Sequence, residues 1–136
     1  MTEAVPVDNL ELVKEAFARW NAGDREVDVG TIDPEVELHT PLASTRGAPY
    51  RGHEGFRQWL ADIDDQFEVW ELRAREWREL DEGRVLGLGE IHARGRGSGI
   101  ELDQPLAWLF SIRAGKLVRY EVFYNPDHAL RSLGLT

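Results

Sequence analysis

Residues 84–124 have the sequence RVLGLGEIHARGRGSGIELDQPLAWLFSIRAGKLVRYEVFY, and this stretch decides the fold. Apolar and polar side chains alternate over residues 84–96, 100–112 and 117–124, which predicts three β-strands. Turns that contain glycine join them at residues 95–99 and 113–116, and a similar turn at residues 81–83 connects them to a fourth alternating segment, residues 69–80. Because connections this short join antiparallel neighbours, the sequence predicts a meander of four strands.

The residues before the meander predict helices. The first helix is capped by Asp8, which is followed three residues later by Glu11 in the pattern of a capping box, and it ends at residues 21–23. A second helix covers about residues 53–67, because its apolar residues recur at spacings of three and four. Residues 36–40 predict a short strand and residues 41–52 a loop, while Asn125 and Pro126 predict the start of a short final helix. Helices followed by a curved antiparallel sheet define an α+β fold, and no linker divides residues 1–136, so we expect a single domain.

Composition excludes several classes of protein. The 136 residues carry 16 Lys and Arg against 25 Asp and Glu, a net charge of −9, which argues against binding to nucleic acid or to an anionic membrane surface. The absence of cysteine excludes disulfides and thiolate chemistry. Residues 1–12 contain acidic side chains where a signal peptide needs basic and then apolar ones, so we expect a cytoplasmic protein.

The predicted strand over residues 100–112 is apolar on both faces. One face carries Ile100, Leu102, Leu106, Trp108, Phe110 and Ile112, and the other carries Pro105, Ala107 and Leu109. A strand that is apolar on both faces is covered on both faces. Because two helices cover only one side of such a sheet, we expect the other side to meet a second copy of the chain in a homodimer.

Three ionisable residues are candidates for acid–base catalysis. Glu90 and His92 share a face of a largely apolar strand, and His39 stands at the end of the first strand. The alternative is structural: a strand end emerging into solvent with Glu90 paired to a neighbouring arginine, and a His39 that is exposed or hydrogen-bonded locally. The four histidines have no metal-ligand spacing, so we expect neither a metal nor a cofactor.

The aromatic residues predict a ligand pocket. Trp20 and Trp59 come from the helices, and Tyr120 and Tyr124 share a face of the last strand. Tryptophan and tyrosine combine a large apolar surface with a polar group, which suits them to bind small molecules. The alternative interpretation places these side chains in the core, and it extends to Trp70, Trp77 and Trp108, which are assigned to the core or to a dimer face.

Four stretches in order along the chain carry a family resemblance: FARWNAGD (17–24), YRGHEGF (50–56), GKLV (115–118) and DHAL (127–130). With them the chain resembles the SnoaL-like, polyketide cyclase-like branch of the nuclear-transport-factor-two-like superfamily, which includes ketosteroid isomerase. The resemblance implies a cone in which a bent antiparallel sheet closes over the helices, with a cavity at the wide end and frequent dimers through the sheet. Polyketide cyclases, dehydratases, epoxide hydrolases and non-catalytic binding modules share this fold.

The same resemblance implies which positions face the cavity. The polar residues of ketosteroid isomerase fall here at Ala16, Thr40 and Ala107, so steroid isomerisation by that route is excluded. The alignment directs six residues toward the cavity, namely Leu86, Leu88, Glu90, Tyr120, Val122 and Tyr124, with His92 near its mouth. Thr40, at the position of the missing general base, joins Trp20 and Trp59 among the expected ligand-binding residues.

Three functions follow as hypotheses. The first is a pocket for an apolar or aromatic small molecule, used by a cofactor-free isomerase, cyclase or dehydratase that transfers a proton. Glu90 would be its base, His92 or His39 the acid or its orienting partner, and Tyr120 or Tyr124 the hydrogen-bond donor. The second is a non-catalytic domain that binds a small ligand, and the third is a sheet-mediated protein-interaction module.

Overall fold

The computed structural model describes residues 8–135 and is an α+β fold built on one six-stranded sheet. In chain order the elements are α1 (Asn9–Asn21), β1 (Ile32–His39), α2 (Pro41–Arg46), β2 (Tyr50–Arg51), α3 (Gly52–Gln66), β3 (Phe67–Glu79), β4 (Arg84–Gly95), β5 (Glu101–Arg113), β6 (Lys116–Phe123) and α4 (Pro126–Ser132). The side chain of Asp8 accepts a hydrogen bond from the amide of Glu11, as the capping pattern predicts.

The sheet has the strand order β2-β1-β6-β5-β4-β3 and curves without closing. Strands β3 to β6 form the predicted antiparallel meander. The expectation of a purely antiparallel sheet needs one correction, because β1 pairs in parallel with β6. The chain between those two strands is long enough for such a crossover, whereas a hairpin turn enforces the antiparallel direction.

Two helices, α1 and α3, pack on one face of the sheet, which we call the inner face. Phe17 of α1 meets Trp77 and Trp108 edge to face, with ring centroids 4.9 and 5.1 Å apart. Gly87 of β4 lies beneath these tryptophans, since a Cβ atom there would stand 2.8 Å from the Trp77 ring and 3.3 Å from that of Trp108. The absence of a side chain at Gly87 therefore makes room for the two indoles.

The opposite face of the sheet, which we call the outer face, is partly covered by α4. Its fully buried Ala129 packs in a cluster with Leu86, Ala107 and Leu109. The side chain of Asn125 caps this helix by accepting hydrogen bonds from the amides of Asp127 and His128. The apolar outer side of β5 is thus covered at this end by the chain itself, so its sequence pattern does not require a second copy.

Two connections differ from the sequence-based expectation. Residues 41–52 were predicted as a loop but contain α2 and β2, because Thr40 caps α2 and Pro41 occupies its first turn. Strand β1 begins at Ile32 rather than at residue 36.

Among residues 8–135 no helix combines the length and the apolar character needed to span a bilayer. Of residues 1–12, on which the expectation about a signal peptide rests, the first seven lie outside the described part.

Candidate ligand-binding site

A pocket of about 250 Å³ lies on the inner face of the sheet and is called here the inner pocket. Strands β3 to β6 provide one side, and α2 and α3 the other. Its lining consists of Thr40, Pro41, Leu42, Thr45, Trp59, Phe67, Trp70, Ile91, Ala93, Leu102, Gln104, Leu106, Trp108, Tyr120, Val122 and Tyr124. Not one of these residues carries a charge, so the pocket suits a neutral molecule with apolar or aromatic surface.

Tyr120 supplies the most distinctive polar group of this pocket. The residue is buried, and burial raises the pKa of its hydroxyl far above the usual range. The hydroxyl forms no hydrogen bond with any group of residues 8–135. It keeps some contact with solvent, unlike the Nε atom of Arg25, which is fully buried without a partner. A neutral, unpartnered donor beside apolar walls is suited to bind a carbonyl or hydroxyl oxygen of a ligand.

Aromatic rings connect Tyr120 to the helices. Its ring centroid lies 5.7 Å from that of Trp59 and 5.0 Å from that of Phe110. Apart from tyrosine and tryptophan, Thr40 is the only buried polar residue in the described chain, and its hydroxyl accepts the amide hydrogen of Ala43 at 3.3 Å. Because a hydroxyl can donate as well as accept, Thr40 offers the inner pocket a second neutral donor.

A second concavity, the α1 pocket, measures about 140 Å³ and lies between α1, α3 and residues 24–32. It contains Trp20, whose indole nitrogen donates to the carbonyl of Trp70 at 2.8 Å. The guanidinium of Arg25 lies 4.3 Å from the Trp20 ring centroid, and burial lowers the pKa of this arginine. Trp59 and Tyr120 belong to both linings, whereas Trp20 belongs to the α1 pocket alone.

The predicted orientation of β4 is wrong. Leu86, Leu88, Glu90 and His92 were expected to face the cavity or its mouth, but all four lie on the outer face. Leu86 and Leu88 pack in the cluster under α4, and period-two alternation places Glu90 and His92 on the same side. Ile91 and Ala93 face the inner pocket instead. The reason is that α4 makes the outer face apolar at this end, so hydrophobicity alone does not identify the cavity side.

Glu90 and His92 are bound to neighbouring charges on that outer face. Arg75 donates to Glu90 at 2.7 Å, and the Nδ1 atom of His92 lies 2.8 Å from the carboxylate of Asp103. The structural alternative, in which Glu90 pairs with an arginine of the neighbouring strand, is therefore the arrangement observed. Neither side chain lines the inner pocket.

His39 also lies outside the pocket. Its Nε2 atom hydrogen-bonds to Glu37 at 2.9 Å, and Glu37 accepts a further bond from Arg51 at 3.0 Å. The hydrogen bond from His39, followed by the charge of Arg51, lowers the pKa of Glu37 below its usual value. The local hydrogen bond that was the alternative for His39 is thus present. All three ionisable residues predicted for catalysis are absent from the lining of the inner pocket.

The positions matched to ketosteroid isomerase are distributed over three places. Thr40 lines the inner pocket and Ala16 the α1 pocket. Ala107 is on the outer face in the cluster with Ala129, so the expectation that this position corresponds to a cavity residue is wrong. Its neighbours Leu106 and Trp108 face the pocket, and neither is an acid.

Sequence reasoning missed much of the lining, above all Trp70 and Trp108. Both were assigned to the core or to a dimer interface, and Trp108 is indeed buried. The informative signal was the pair Gly87 and Gly89, which alternate with Leu86 and Leu88. Two glycines on one face of a long strand indicate a closely packed partner, here the large rings of the inner face and the backbone of β3.

Within residues 8–135 there is no group of three or more histidine, aspartate or glutamate side chains placed to hold an ion. The inner pocket offers the hydroxyl groups of Thr40, Thr45, Tyr120 and Tyr124, the amide of Gln104 and indole nitrogens. These groups form hydrogen bonds, but they are weak ligands for most metal ions.

Fold and sequence together identify the family. The sequence model of the SnoaL-like domain family matches residues 13–120, so the chain belongs to the SnoaL-like family. A comparison with curated protein sequences gives no significant match.

Solved structures share the fold at low sequence identity. An NTF2-like protein of unknown function from Burkholderia pseudomallei has a TM-score of 0.77 at 17% identity, covering 93% of this chain and 97% of its own. TerC, co-crystallised with polyporic acid, has a TM-score of 0.73 at 23% identity, with 92% and 96% covered. A protein with a ketosteroid isomerase-like fold from Catenulispora acidiphila, in complex with trimethylamine, has a TM-score of 0.71 at 17% identity, with 93% and 94% covered.

Proposed function

We propose that this chain binds a neutral aromatic or polycyclic small molecule in the inner pocket. The observation that carries the proposal is a lining of uncharged residues, five of them with indole or phenol rings, that includes the unpartnered hydroxyl of Tyr120. Apolar walls with a few polar groups are the usual composition of a small-molecule site. A charged ligand would lose its hydration here without gaining an opposite charge.

Related structures support this use of the fold. TerC was co-crystallised with polyporic acid, and the Catenulispora acidiphila protein was crystallised in complex with trimethylamine. Both matches lie below 25% identity, so neither ligand transfers to this chain.

A second candidate function is a cofactor-free cyclase or isomerase in the same pocket, in keeping with the activities associated with the family. Tyr120 favours it, because a protonated hydroxyl can donate to a carbonyl oxygen as that oxygen gains negative charge. The lining has no carboxylate or imidazole to accept a proton. Binding without proton transfer to the protein therefore ranks first.

The test uses 2-naphthol as a neutral two-ring probe, with binding measured by equilibrium dialysis. We expect a dissociation constant below about 1 mM for the unmodified protein. Ala93→Leu, which puts a larger side chain into the pocket, should weaken binding by at least about tenfold. Glu90→Gln serves as the control, because Glu90 lies on the outer face and should leave the affinity unchanged.

Thermal unfolding of both variants establishes that they remain folded at the assay temperature. The proposal fails if 2-naphthol does not bind, or if Ala93→Leu binds it as well as the unmodified protein does. A loss of affinity in Glu90→Gln with the fold intact would place the site on the outer face and would also overturn the proposal.

A further inference from the structure

Exposed apolar side chains lie in and next to the lining of the inner pocket. In the described part of the chain the large apolar residues classed as exposed are Val29, Ile100, Leu102 and Tyr124. Ile100 is 70% exposed, Tyr124 60% and Leu102 49%. Leu102 and Tyr124 also belong to the pocket lining. We call Ile100, Leu102 and Tyr124 the apolar rim.

The rim continues the surface of the pocket outward along β5. The amide of Gly95 donates to the carbonyl of Ile100 at 2.9 Å, so the pairing of β4 and β5 extends to that residue. The spacing of two between Ile100 and Leu102 extends the row of side chains that contains Leu106 and Trp108. In the same row of β5, the side chain of Gln104 donates to the carbonyl of Tyr124 at 3.4 Å.

The size of the pocket indicates what the rim contacts. A dry cavity of about 150 Å³ accommodates a single benzene ring. At about 250 Å³ the inner pocket has room for roughly two rings, and a longer molecule must project through the mouth. Its projecting part would then contact Ile100 beyond the lining and pass Leu102 and Tyr124, the two exposed residues of the lining.

We propose that Ile100, Leu102 and Tyr124 form an outer subsite for the far end of an elongated aromatic ligand whose near end fills the inner pocket. This inference rests on the proposed function and adds to it the length of the ligand and the residues that select for length. It also assigns a role to the end of the β4–β5 hairpin, where the pairing of Gly95 with Ile100 holds the exposed Ile100 side chain.

The experiment compares two neutral probes, 2-naphthol and the longer 6-phenyl-2-naphthol, by equilibrium dialysis. For the unmodified protein we expect the longer probe to bind about tenfold more tightly, because its phenyl group buries apolar surface against the rim. Ile100→Ser should reduce this preference about fivefold. Val29→Ser is the matched control, because Val29 is 58% exposed and lines neither pocket, so the preference should persist.

The outcomes separate the two proposals. Binding of 2-naphthol without a preference for the longer probe overturns the outer subsite and leaves the proposed function standing, whereas failure of both probes to bind overturns both. A preference that survives Ile100→Ser and Leu102→Ser also overturns the subsite. Sedimentation of each variant tests whether the rim is covered by a second copy, and dissociation of an oligomer by Ile100→Ser would overturn the assignment to a ligand.

Discussion

The residue Tyr120 is buried as a whole, whereas its hydroxyl keeps some contact with solvent and has no hydrogen-bond partner within residues 8–135. A ligand that fills the inner pocket would remove this contact with solvent, and the hydroxyl would then need a hydrogen-bond partner to avoid a free-energy cost. Proteins retain such groups mainly where a ligand, a water molecule or a reaction needs them. The position of this hydroxyl in the lining of the inner pocket fits the first of these reasons.

The first prediction concerns that hydroxyl. Tyr120→Phe keeps the ring and its contacts with Trp59 and Phe110 but removes the donor. Because no hydrogen bond to the protein is lost, we expect the free energy of unfolding in urea to change by less than about 0.5 kcal/mol. Binding of 2-naphthol should weaken about fivefold, which corresponds to one hydrogen bond. A large loss of stability with unchanged affinity would show that the hydroxyl serves folding instead.

Unlike the hydroxyl of Tyr120, the ionisable residues of β4 have partners. Glu90 and Arg75 pair on the outer face, and His92 and Asp103 pair beside them. A carboxylate placed alone among the rings of the inner pocket would lose its hydration without compensation. On the outer face each charge keeps both an opposite charge and contact with water. The sequence placed these residues on one strand face correctly but could not show which face that was.

The uncertainty about which face of a strand is internal arises at the scale of the secondary-structure element, and β4 illustrates it. Alternation predicts that Leu86, Leu88 and Glu90 lie together, and they do. Which face is internal depends on α4, a short helix whose Ala129 lies 43 residues after Leu86 in the chain and packs against it. A local pattern carries no information about such a distant contact. The strands themselves were predictable because their turns and alternation are local.

A second element-scale feature connects β2 to α3. The hydroxyl of Tyr50 in β2 donates to Asp62 in α3 at 2.6 Å, and Gln58 donates to the same carboxylate. Burial, followed by the hydrogen bond to Asp62, raises the pKa of Tyr50 from 10.0 to about 12. The guanidinium of Arg46, 4.4 Å from the Tyr50 ring, acts in the opposite direction.

This raised pKa predicts how stability depends on pH. The folded protein holds the Tyr50 proton more tightly than the unfolded chain, so the contribution is complete below pH 10 and is lost as the pH rises from about 10 to about 12. Urea unfolding at pH 9 and pH 11 should give a smaller free energy at the higher pH, with a reduced difference in Tyr50→Phe. Tyr120 adds a decrease of the same sign, so the difference should not vanish. An equal decrease in both proteins would exclude Tyr50 as a cause.

At the scale of the whole molecule, the two faces of the sheet have different chemistry. The inner face carries the aromatic core and the inner pocket. The outer face carries α4 at one end and ion pairs over the rest, including Arg73 with Asp103 and Arg94 with Glu101. None of the large apolar residues classed as exposed lies in the cluster under α4. The outer face therefore has the character of a polar surface rather than of an uncovered core.

The homodimer predicted from the two-sided apolar pattern of β5 consequently needs a different argument. We propose that the ion-paired part of the outer face forms the contact, with Glu90 near its centre. Although it is charged, the Glu90 side chain is only 23% exposed, and it lies on the same face as the half-buried Leu88. Two copies related by a twofold axis would bring this patch against itself, with charge complementarity fixing their orientation.

The test of the dimer is Glu90→Arg, which places a second cation beside Arg75 in a contact that desolvates both. Sedimentation equilibrium of the unmodified protein should give twice the chain mass of 15.5 kDa, and the variant should dissociate at least about tenfold more readily. Glu54→Arg is the matched control, because Glu54 forms a similar ion pair with Arg57 at 2.7 Å on α3, which packs on the opposite side of the sheet. If the unmodified protein sediments as a single chain at every concentration, or if both variants dissociate it equally, the outer face is not the contact. Since the inner pocket lies on the other face, binding of 2-naphthol should be independent of this association.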